Sequence, residues 1–231
     1  LKPVAEARLR YEHVDQDGLA QQADALTFRA RAGLTASSGA LSATLVGQGT
    51  LAVIDRYFDG FDNAATKPLV ADPQNVALYI AQLQYRTKSL TLTGGRQKIL
   101  LDDERFVGNV AFRDNGQTFD AVRAELTPAK GLKLDVSYAW SVSTIWGLQG
   151  KGTRQQAVSG DNIFANLSYA TPLGTLSGFA YLVDQDEAAV QAYRLSSQTY
   201  GLRLAGSQPL SRSAKIAYQL SYARQSDYHR N

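Results

Sequence analysis

The sequence predicts an all-β protein, an antiparallel up-and-down transmembrane β-barrel, on the strength of two observations. Apolar and polar residues alternate along one segment after another, and helical periodicity appears over no useful length. Tight connections alternate with long ones between these segments. Because successive side chains of a strand point to opposite faces, each alternating segment is predicted to be a strand with one apolar and one polar side.

The alternation is clearest in two segments near the amino terminus. Between residues 6 and 12, one face is apolar and the other is charged, with Glu6, Arg8, Arg10 and Glu12. Between residues 26 and 34, an apolar face opposes a polar face that contains Arg29 and Arg31. We expect these four arginines to point into the barrel, because a charged side chain at mid-bilayer is costly. Similar segments follow at 132–141, 199–205 and 215–223.

With weaker segments included, the sequence contains about eleven strands of roughly ten residues, the length that a tilted membrane-spanning strand needs. Segments 117–127 and 174–184 have mixed faces, so their phase stays open. The predicted strands centre on residues 5–14, 24–35, 40–50, 76–87, 89–100, 117–127, 131–142, 162–171, 174–184, 197–208 and 213–224.

The connections favour a membrane barrel over a soluble one. Every second connection is short, which is the pattern of periplasmic turns against extracellular loops. A lipocalin-type soluble barrel would turn its apolar face inward and leave the arginines outside. The short links lie at 36–39, 87–88, 128–130, 172–173 and 209–212. Aromatic residues toward the strand ends agree with an interfacial girdle, and they are Tyr11, Tyr85, Tyr138, Trp140, Tyr169, Tyr200, Tyr218 and Tyr222.

Composition limits the other possibilities for residues 1–231, which we interpret as one barrel domain. The formal charge of +3 is too small for the basic footprint of a nucleic-acid binder. The absence of cysteine excludes disulfides and thiolate metal sites, and we expect no cofactor. An odd strand count leaves the last residues on the loop side, and an open sheet would have unpaired edges in lipid. We therefore expect further strands after the carboxyl-terminal end of this chain.

Residues 94–123, with the sequence GGRQKILLDDERFVGNVAFRDNGQTFDAVR, resemble a segment of the alginate-export family of Gram-negative outer-membrane porins. The segments 10–12, 27–31, 72–73 and 82–85 are also similar to that family. The resemblance covers residues 5–147 well and the remainder only by strand pattern. It implies a monomeric barrel of about sixteen to eighteen strands when complete. An arginine-rich lumen passes an acidic polysaccharide in the founding member, while many relatives have no established substrate.

Cations on the predicted polar faces are the candidate pore-lining residues. Arginine stays charged and offers a fixed fork of donors, so a ladder of arginines suits a moving acidic solute. Alternatively, these cations pair with Glu6, Glu12, Glu125 and Asp135 and merely line a wet lumen. The candidates are Arg8, Arg10, Arg29, Arg31, Arg96, Lys98, Arg123, Lys133 and Arg203.

The segment 101–116 is the candidate constriction. It either folds into the lumen and opposes charges there, or it is an ordinary solvated loop. Its charged residues are Asp102, Asp103, Glu104, Arg105 and Arg113, followed by Asp114. The acidic residues Asp55, Asp59 and Asp62 do not have the spacing of an EF-hand, and no metal site is predicted.

These features predict a passive channel in the outer membrane of a Gram-negative bacterium, in contact with lipid and lipopolysaccharide and without enzymatic activity. Its solutes would be polar and anionic, either small molecules or acidic saccharides. One alternative is a structural or adhesive barrel with long binding loops. Another is a barrel-wall hydrolase, which would need His13 or His229 against a serine, and neither has a suggestive partner.

Overall fold

The computed structural model describes residues 1–61, 66–187 and 195–228. Eleven strands form one antiparallel sheet, in which each strand pairs with the next along the chain. The described residues contain no helix that is long and apolar enough to cross a membrane. The strands are β1 (Lys2–Val14), β2 (Ala23–Ser38), β3 (Leu41–Arg56), β4 (Asn75–Arg86), β5 (Leu90–Gln97), β6 (Thr118–Ala129), β7 (Leu132–Ser143), β8 (Ala157–Thr171), β9 (Gly174–Gln185), β10 (Ser197–Pro209) and β11 (Lys215–Asp227).

The predicted strand order and antiparallel topology are confirmed. Each predicted segment overlaps one strand, and short and long connections alternate as expected. The largest differences are that β3 continues to Arg56 and β8 begins at Ala157, and β5 already ends at Gln97. The two outermost strands, β1 and β11, each have a partner strand on one side, so the described sheet is open.

The two faces of the sheet differ in chemistry. We call the face that contains Arg8, Arg29 and Asp135 the inner face, because long connections pack on it. Its polar side chains are largely buried, and Arg29 is only 4% exposed. The outer face leaves large apolar side chains uncovered, such as Leu202 at 60% exposure. Apolar residues outside and polar residues inside is the arrangement of a barrel that spans a membrane.

The pairing register settles the phase of the two strands with mixed faces. In β6, Phe119 and Ala121 are buried on the inner face, whereas Val122 is exposed on the outer face. In β9, Phe179 and Tyr181 are two residues apart in the strand, and both are buried on the inner face. Aromatic residues therefore occupy part of the inner face, where a polar surface alone was expected.

Aromatic residues lie on the outer face toward both ends of the strands. Tyr11 and Trp140 are near the long connections, and Tyr85 and Tyr169 are near the short turns. All four are at least 40% exposed in the sheet. Tyrosine and tryptophan favour the two interfaces of a membrane, where the ring is buried and its polar group stays wet.

The wall formed by the hydrogen-bonded strands is interrupted at the end of β5. The upper part of β4, residues 75–80, pairs with β3 but not with β5, because the pairing with β5 stops at Arg96. The Arg96 guanidinium donates to the Leu78 carbonyl oxygen at 3.3 Å and to both carboxylate oxygens of Asp120 at 2.8 and 2.7 Å. The Leu148 amide donates to the Asn75 side-chain oxygen at 3.1 Å. Side chains, and not a backbone ladder, connect this part of the wall.

Candidate functional site

The connection between β5 and β6 lies across the inner face of the sheet, and we call residues 98–117 the inward loop. At one end, Arg8 of β1 donates to the carbonyl oxygens of Ala111 and Phe112 at 3.1 and 3.0 Å. At the other end, Gln219 of β11 donates to Asp103 at 2.6 Å. The inward loop thus reaches from the first strand to the last. Three of its non-glycine residues adopt positive φ, namely Asp102, Glu104 and Val110, so its path is conformationally costly and must be held by contacts.

Two fully buried carboxylates hold the loop against β1 and β2. Asp72 and Asp114 are both 0% exposed, and the Asp114 amide donates to Asp72 Oδ1 at 2.6 Å. Arg10 donates to Asp72 Oδ2 at 2.5 Å, and the Thr27 hydroxyl donates to Asp114. The Tyr57 hydroxyl donates to the Asp72 carbonyl oxygen at 2.9 Å. We call Asp72 and Asp114 the carboxylate hub, because they join two long connections to the strand wall.

The carboxylate hub is electrostatically unusual. Burial is the main reason that the pKa of Asp72 is raised above its ordinary value, and the neighbouring Asp114 carboxylate adds to this. The hydrogen bond from the Asp114 amide and the guanidiniums of Arg113 and Arg10 act in the opposite direction without cancelling it. Burial also raises the pKa of the Tyr57 hydroxyl. Protonation of Asp72 is therefore easier than that of an exposed aspartate.

The four arginines of β1 and β2 form one patch on the inner face, and their charges have partners. Arg8 pairs directly with Arg29 across the two strands. Arg29 donates to Glu6. Arg31 donates to Gln48 at 2.8 Å and Glu6 at 3.3 Å, and its guanidinium lies 3.8 Å from the centre of the Tyr79 ring. Arg10 donates to Glu12 as well as to Asp72.

With Arg113 of the inward loop, this arginine patch places five guanidiniums against the carboxylates of Glu6, Glu12, Asp72 and Asp114. One positive charge remains in excess when all four carboxylates are ionised. Arg8 has the most exposed side chain of the four strand arginines, at 29%.

A second charged cluster lies toward the short turn between β6 and β7. Arg123 donates to the two carboxylate oxygens of Asp135 at 2.9 and 2.6 Å. Lys133 donates to Glu125 at 2.9 Å. Two cations thus face two carboxylates, and the pairing is that of the alternative interpretation in which the cations line a wet lumen.

Other predicted pore residues lie apart from these clusters. Arg203 of β10 is on the inner face, 3.8 Å from both Asp102 and Asp103. Arg105 lies over the Phe106 ring at 5.8 Å, and Glu104 accepts a hydrogen bond from the Asn109 amide at 3.3 Å. The inward loop therefore contributes both charge signs to the inner face.

Arg96 and Lys98 lie at the point where β5 ends and the inward loop begins. By alternation Arg96 has the phase of Leu92 and not that of the buried Thr93 and Gln97, but it lines a small cavity with Gln48 and Asn115 of the inner side. The Arg96 guanidinium is held at this place because both carboxylate oxygens of Asp120 accept hydrogen bonds from it. Lys98 lies beyond the end of β5, where the chain leaves the wall, and it lines a cavity on the inner face with Glu6 and Arg31.

Sequence reasoning did not identify Asp72, Tyr79 or Asn115 as site residues. The Asn115 side chain donates to the Pro73 carbonyl oxygen at 2.8 Å and accepts from the Thr50 hydroxyl at 2.9 Å. An aspartate followed by proline in a long connection was the available signal for Asp72, but its partners are distant in sequence.

The alternative sites have little support among the described residues. His13 Nδ1 lies 2.9 Å from Asp24, and His229 falls outside the described ranges. No group of His, Cys, Asp or Glu within 1–61, 66–187 and 195–228 could hold a metal ion. Asp62 of the acidic segment also lies outside these ranges.

Comparison with known proteins identifies the fold. No family model and no curated protein matches the chain. The chain is similar to the crystal structure of OccD3 (OpdP) from Pseudomonas aeruginosa, with a TM-score of 0.64 and 14% identity over 98% of this chain and 48% of that one. It is also similar to the crystal structure of OccAB1 from Acinetobacter baumannii, with a TM-score of 0.70 and 13% identity over 96% of this chain and 52% of that one.

A third similar structure is OccK2 (OpdF) from Pseudomonas aeruginosa in complex with glucuronate, with a TM-score of 0.66 and 16% identity over 98% of this chain and 56% of that one. The chain spans about half the length of these solved structures. The eleven-stranded sheet of this chain therefore has the fold of the Occ and Opd outer-membrane porins.

Proposed function

We propose that this chain is part of an outer-membrane channel through which small polar solutes diffuse passively, with a preference for anions. The observation that carries this proposal is the inward loop, which is held across the polar inner face from β1 to β11. A loop fixed in this position would narrow the lumen of a barrel. Single-channel recording of the full-length protein in a planar bilayer tests the proposal, and the absence of conductance steps at high salt would overturn it.

The outer face supports a location in the outer membrane of a Gram-negative bacterium. Exposed leucines and the two aromatic belts would face lipid and the lipid part of lipopolysaccharide. Passive diffusion needs no cofactor, because the solute gradient drives it. The solved neighbours favour the Occ and Opd porins as the model for the pore, and the resemblance to the alginate exporters remains a finer hypothesis about its cargo.

The anion preference rests on the arginine patch. Together with Arg113, its guanidiniums exceed the four carboxylates that face them by one, and the raised pKa of Asp72 makes that carboxylate easier to protonate than an exposed aspartate. The neighbour OccK2 was crystallised with glucuronate, a sugar acid. Small carboxylates, including sugar acids, are therefore the solute class that we propose.

Replacing Arg8 by glutamine is expected to lower the anion-to-cation permeability ratio by about twofold to threefold. Glutamine retains a donor for the carbonyl oxygens of the inward loop but removes the excess charge of the patch. The reversal potential across a bilayer with a salt gradient measures this change. The variant with all four arginines, Arg8, Arg10, Arg29 and Arg31, replaced by glutamine should shift it further.

Arg212→Gln is the matched control, because it removes the same charge in the short turn between β10 and β11. It should leave the reversal potential unchanged. If Arg8→Gln and the fourfold variant fold and keep the parental potential, the arginines serve only to hold Glu6, Glu12 and the loop.

A further inference from the structure

The inner face also contains a cavity without any charged side chain, at the loop end of strands β6 to β11. It has a volume of about 290 Å³ and lies between the inward loop and the wall. No Asp, Glu, Lys or Arg of the described residues lines it. A carboxylate that entered this cavity would lose water without gaining an opposite charge, which is costly. The cavity is therefore unsuited to the anions that the arginine patch attracts.

The cavity wall combines aromatic rings with side-chain amides. Phe106 of the inward loop is 46% exposed and lies 5.5 Å from Phe179 and 6.2 Å from Tyr181, measured between ring centres. Trp146, in the connection between β7 and β8, also lines the cavity. The faces of aromatic rings carry partial negative charge, and they attract the weakly positive C–H groups on one face of a ligand's saturated ring.

The amides of the cavity are oriented so that their oxygens remain available. Asn162, which is 3% exposed, donates through Nδ2 to the Ala139 carbonyl oxygen at 3.0 Å. Gln117 donates to the Gly108 carbonyl oxygen at 3.0 Å, and Gln225 donates to the Thr199 hydroxyl at 2.9 Å. Gln185 Oε1 is buried and has no hydrogen-bond partner within the described ranges. These amides therefore present acceptors, which suit a ligand rich in hydroxyl donors and oppose a carboxylate, which is itself an acceptor.

From these observations we propose that the cavity binds the neutral, polyhydroxylated ring of a saccharide. The ring would lie against Phe106, and its hydroxyls would donate to the oxygens of Asn162 and Gln185. The volume is just below the range of about 300–1,000 Å³ for ligand sites, so it accommodates a single ring of monosaccharide size. This site shares no residue with the arginine patch and extends the proposed function to uncharged solutes.

Calorimetric titration of the full-length protein in detergent with methyl α-D-glucopyranoside tests the proposal. We expect saturable binding in the wild type and about tenfold weaker binding in Gln185→Leu. Leucine has a similar size and removes a buried acceptor without a partner, so folding should be unharmed. Phe106→Ala is the second variant, with a similar expected loss from the missing ring. Arg212→Gln is the control, because it lies in the short turn between β10 and β11 outside the cavity and the arginine patch, and it should bind the neutral sugar as the wild type does.

Three results would overturn the proposal: no saturable binding by the wild type, unchanged affinity in both cavity variants, or stronger binding of glucuronate that Gln185→Leu abolishes. The last result would mean that the cavity takes the acid. The proposed channel fails separately, through the absence of conductance, which leaves the titration interpretable.

Discussion

Replacing Asp72 by alanine is expected to lower the free energy of unfolding by about 3 kcal/mol, because it leaves buried cationic partners without their carboxylate. Arg10 and Arg113 each retain Glu12 as a second partner, which keeps the loss at the lower end for a broken buried pair. The Asp114 amide also loses its acceptor. Single-channel conductance should rise, since this end of the inward loop is no longer fixed to β1. Chemical unfolding and bilayer recording measure the two effects.

Two variants control this prediction. Asp15→Ala removes an exposed carboxylate that accepts a single hydrogen bond from Gln22, and it should change neither quantity. Asp72→Asn keeps an acceptor for the Asp114 amide and should cost less than alanine. Parental stability and conductance in Asp72→Ala would show that the carboxylate hub does not hold the loop.

The comparison of wild type with Asp72→Asn also gives a pH dependence. Because the folded pKa of Asp72 is raised, the unfolded chain loses this proton first as the pH rises. The contribution of Asp72 to stability is therefore fully present below its ordinary pKa and declines as the pH passes through the raised folded value. The stability difference between the two proteins should change over that interval and be constant above it. A difference that is flat throughout would contradict the raised pKa.

Arginine at Val136 is expected to destabilise the folded barrel by about 2–4 kcal/mol if this position lies near the midplane of the bilayer. Val136 is 36% exposed on the outer face of β7, in phase with Leu134 and Tyr138. A guanidinium there would have to leave water for hydrocarbon without a partner. The measurement is the free energy of unfolding from lipid vesicles.

Gln225→Arg introduces the same side chain on the inner face of β11, where Gln225 donates to the Thr199 hydroxyl, and should be tolerated. Val136→Leu should also be nearly neutral, because it keeps an apolar side chain. Equal stability of Val136→Arg and the parent would show that this face of β7 does not meet lipid.

The strands could be predicted from the sequence because one physical rule governs most of them. A strand between lipid and a wet interior has two chemically different faces, and Leu9 alternating with Arg8 and Arg10 makes this visible locally. In β9 the rule fails, because Phe179 and Tyr181 point inward and pack near Phe106 of the inward loop. Alternation within a strand contains no information about a distant loop that covers it.

The site was predictable to a smaller extent for the same reason. The hairpin of β1 and β2 fixes Arg8 opposite Arg29, so the patch follows from local register. Its partners Asp72 and Asp114 come from two separate connections and meet only in the fold. At Arg96, alternation along β5 is a poor guide, because hydrogen bonds to Asp120 and to the Leu78 carbonyl oxygen at the end of the strand decide where the guanidinium lies.

Because β5 ends early, the residues after Gln97 can either extend the strand or form the inward loop, but not both. Residues after Gln97 would complete the hydrogen-bonded wall beside residues 75–80 of β4 if they continued as strand, but they cross the lumen instead. Narrowing the passage therefore leaves a seam in the wall, bridged by Arg96 and Asn75. Withdrawal of the loop from the lumen and closure of that seam would be a single event, visible as slower amide hydrogen exchange on the β5 side of β4.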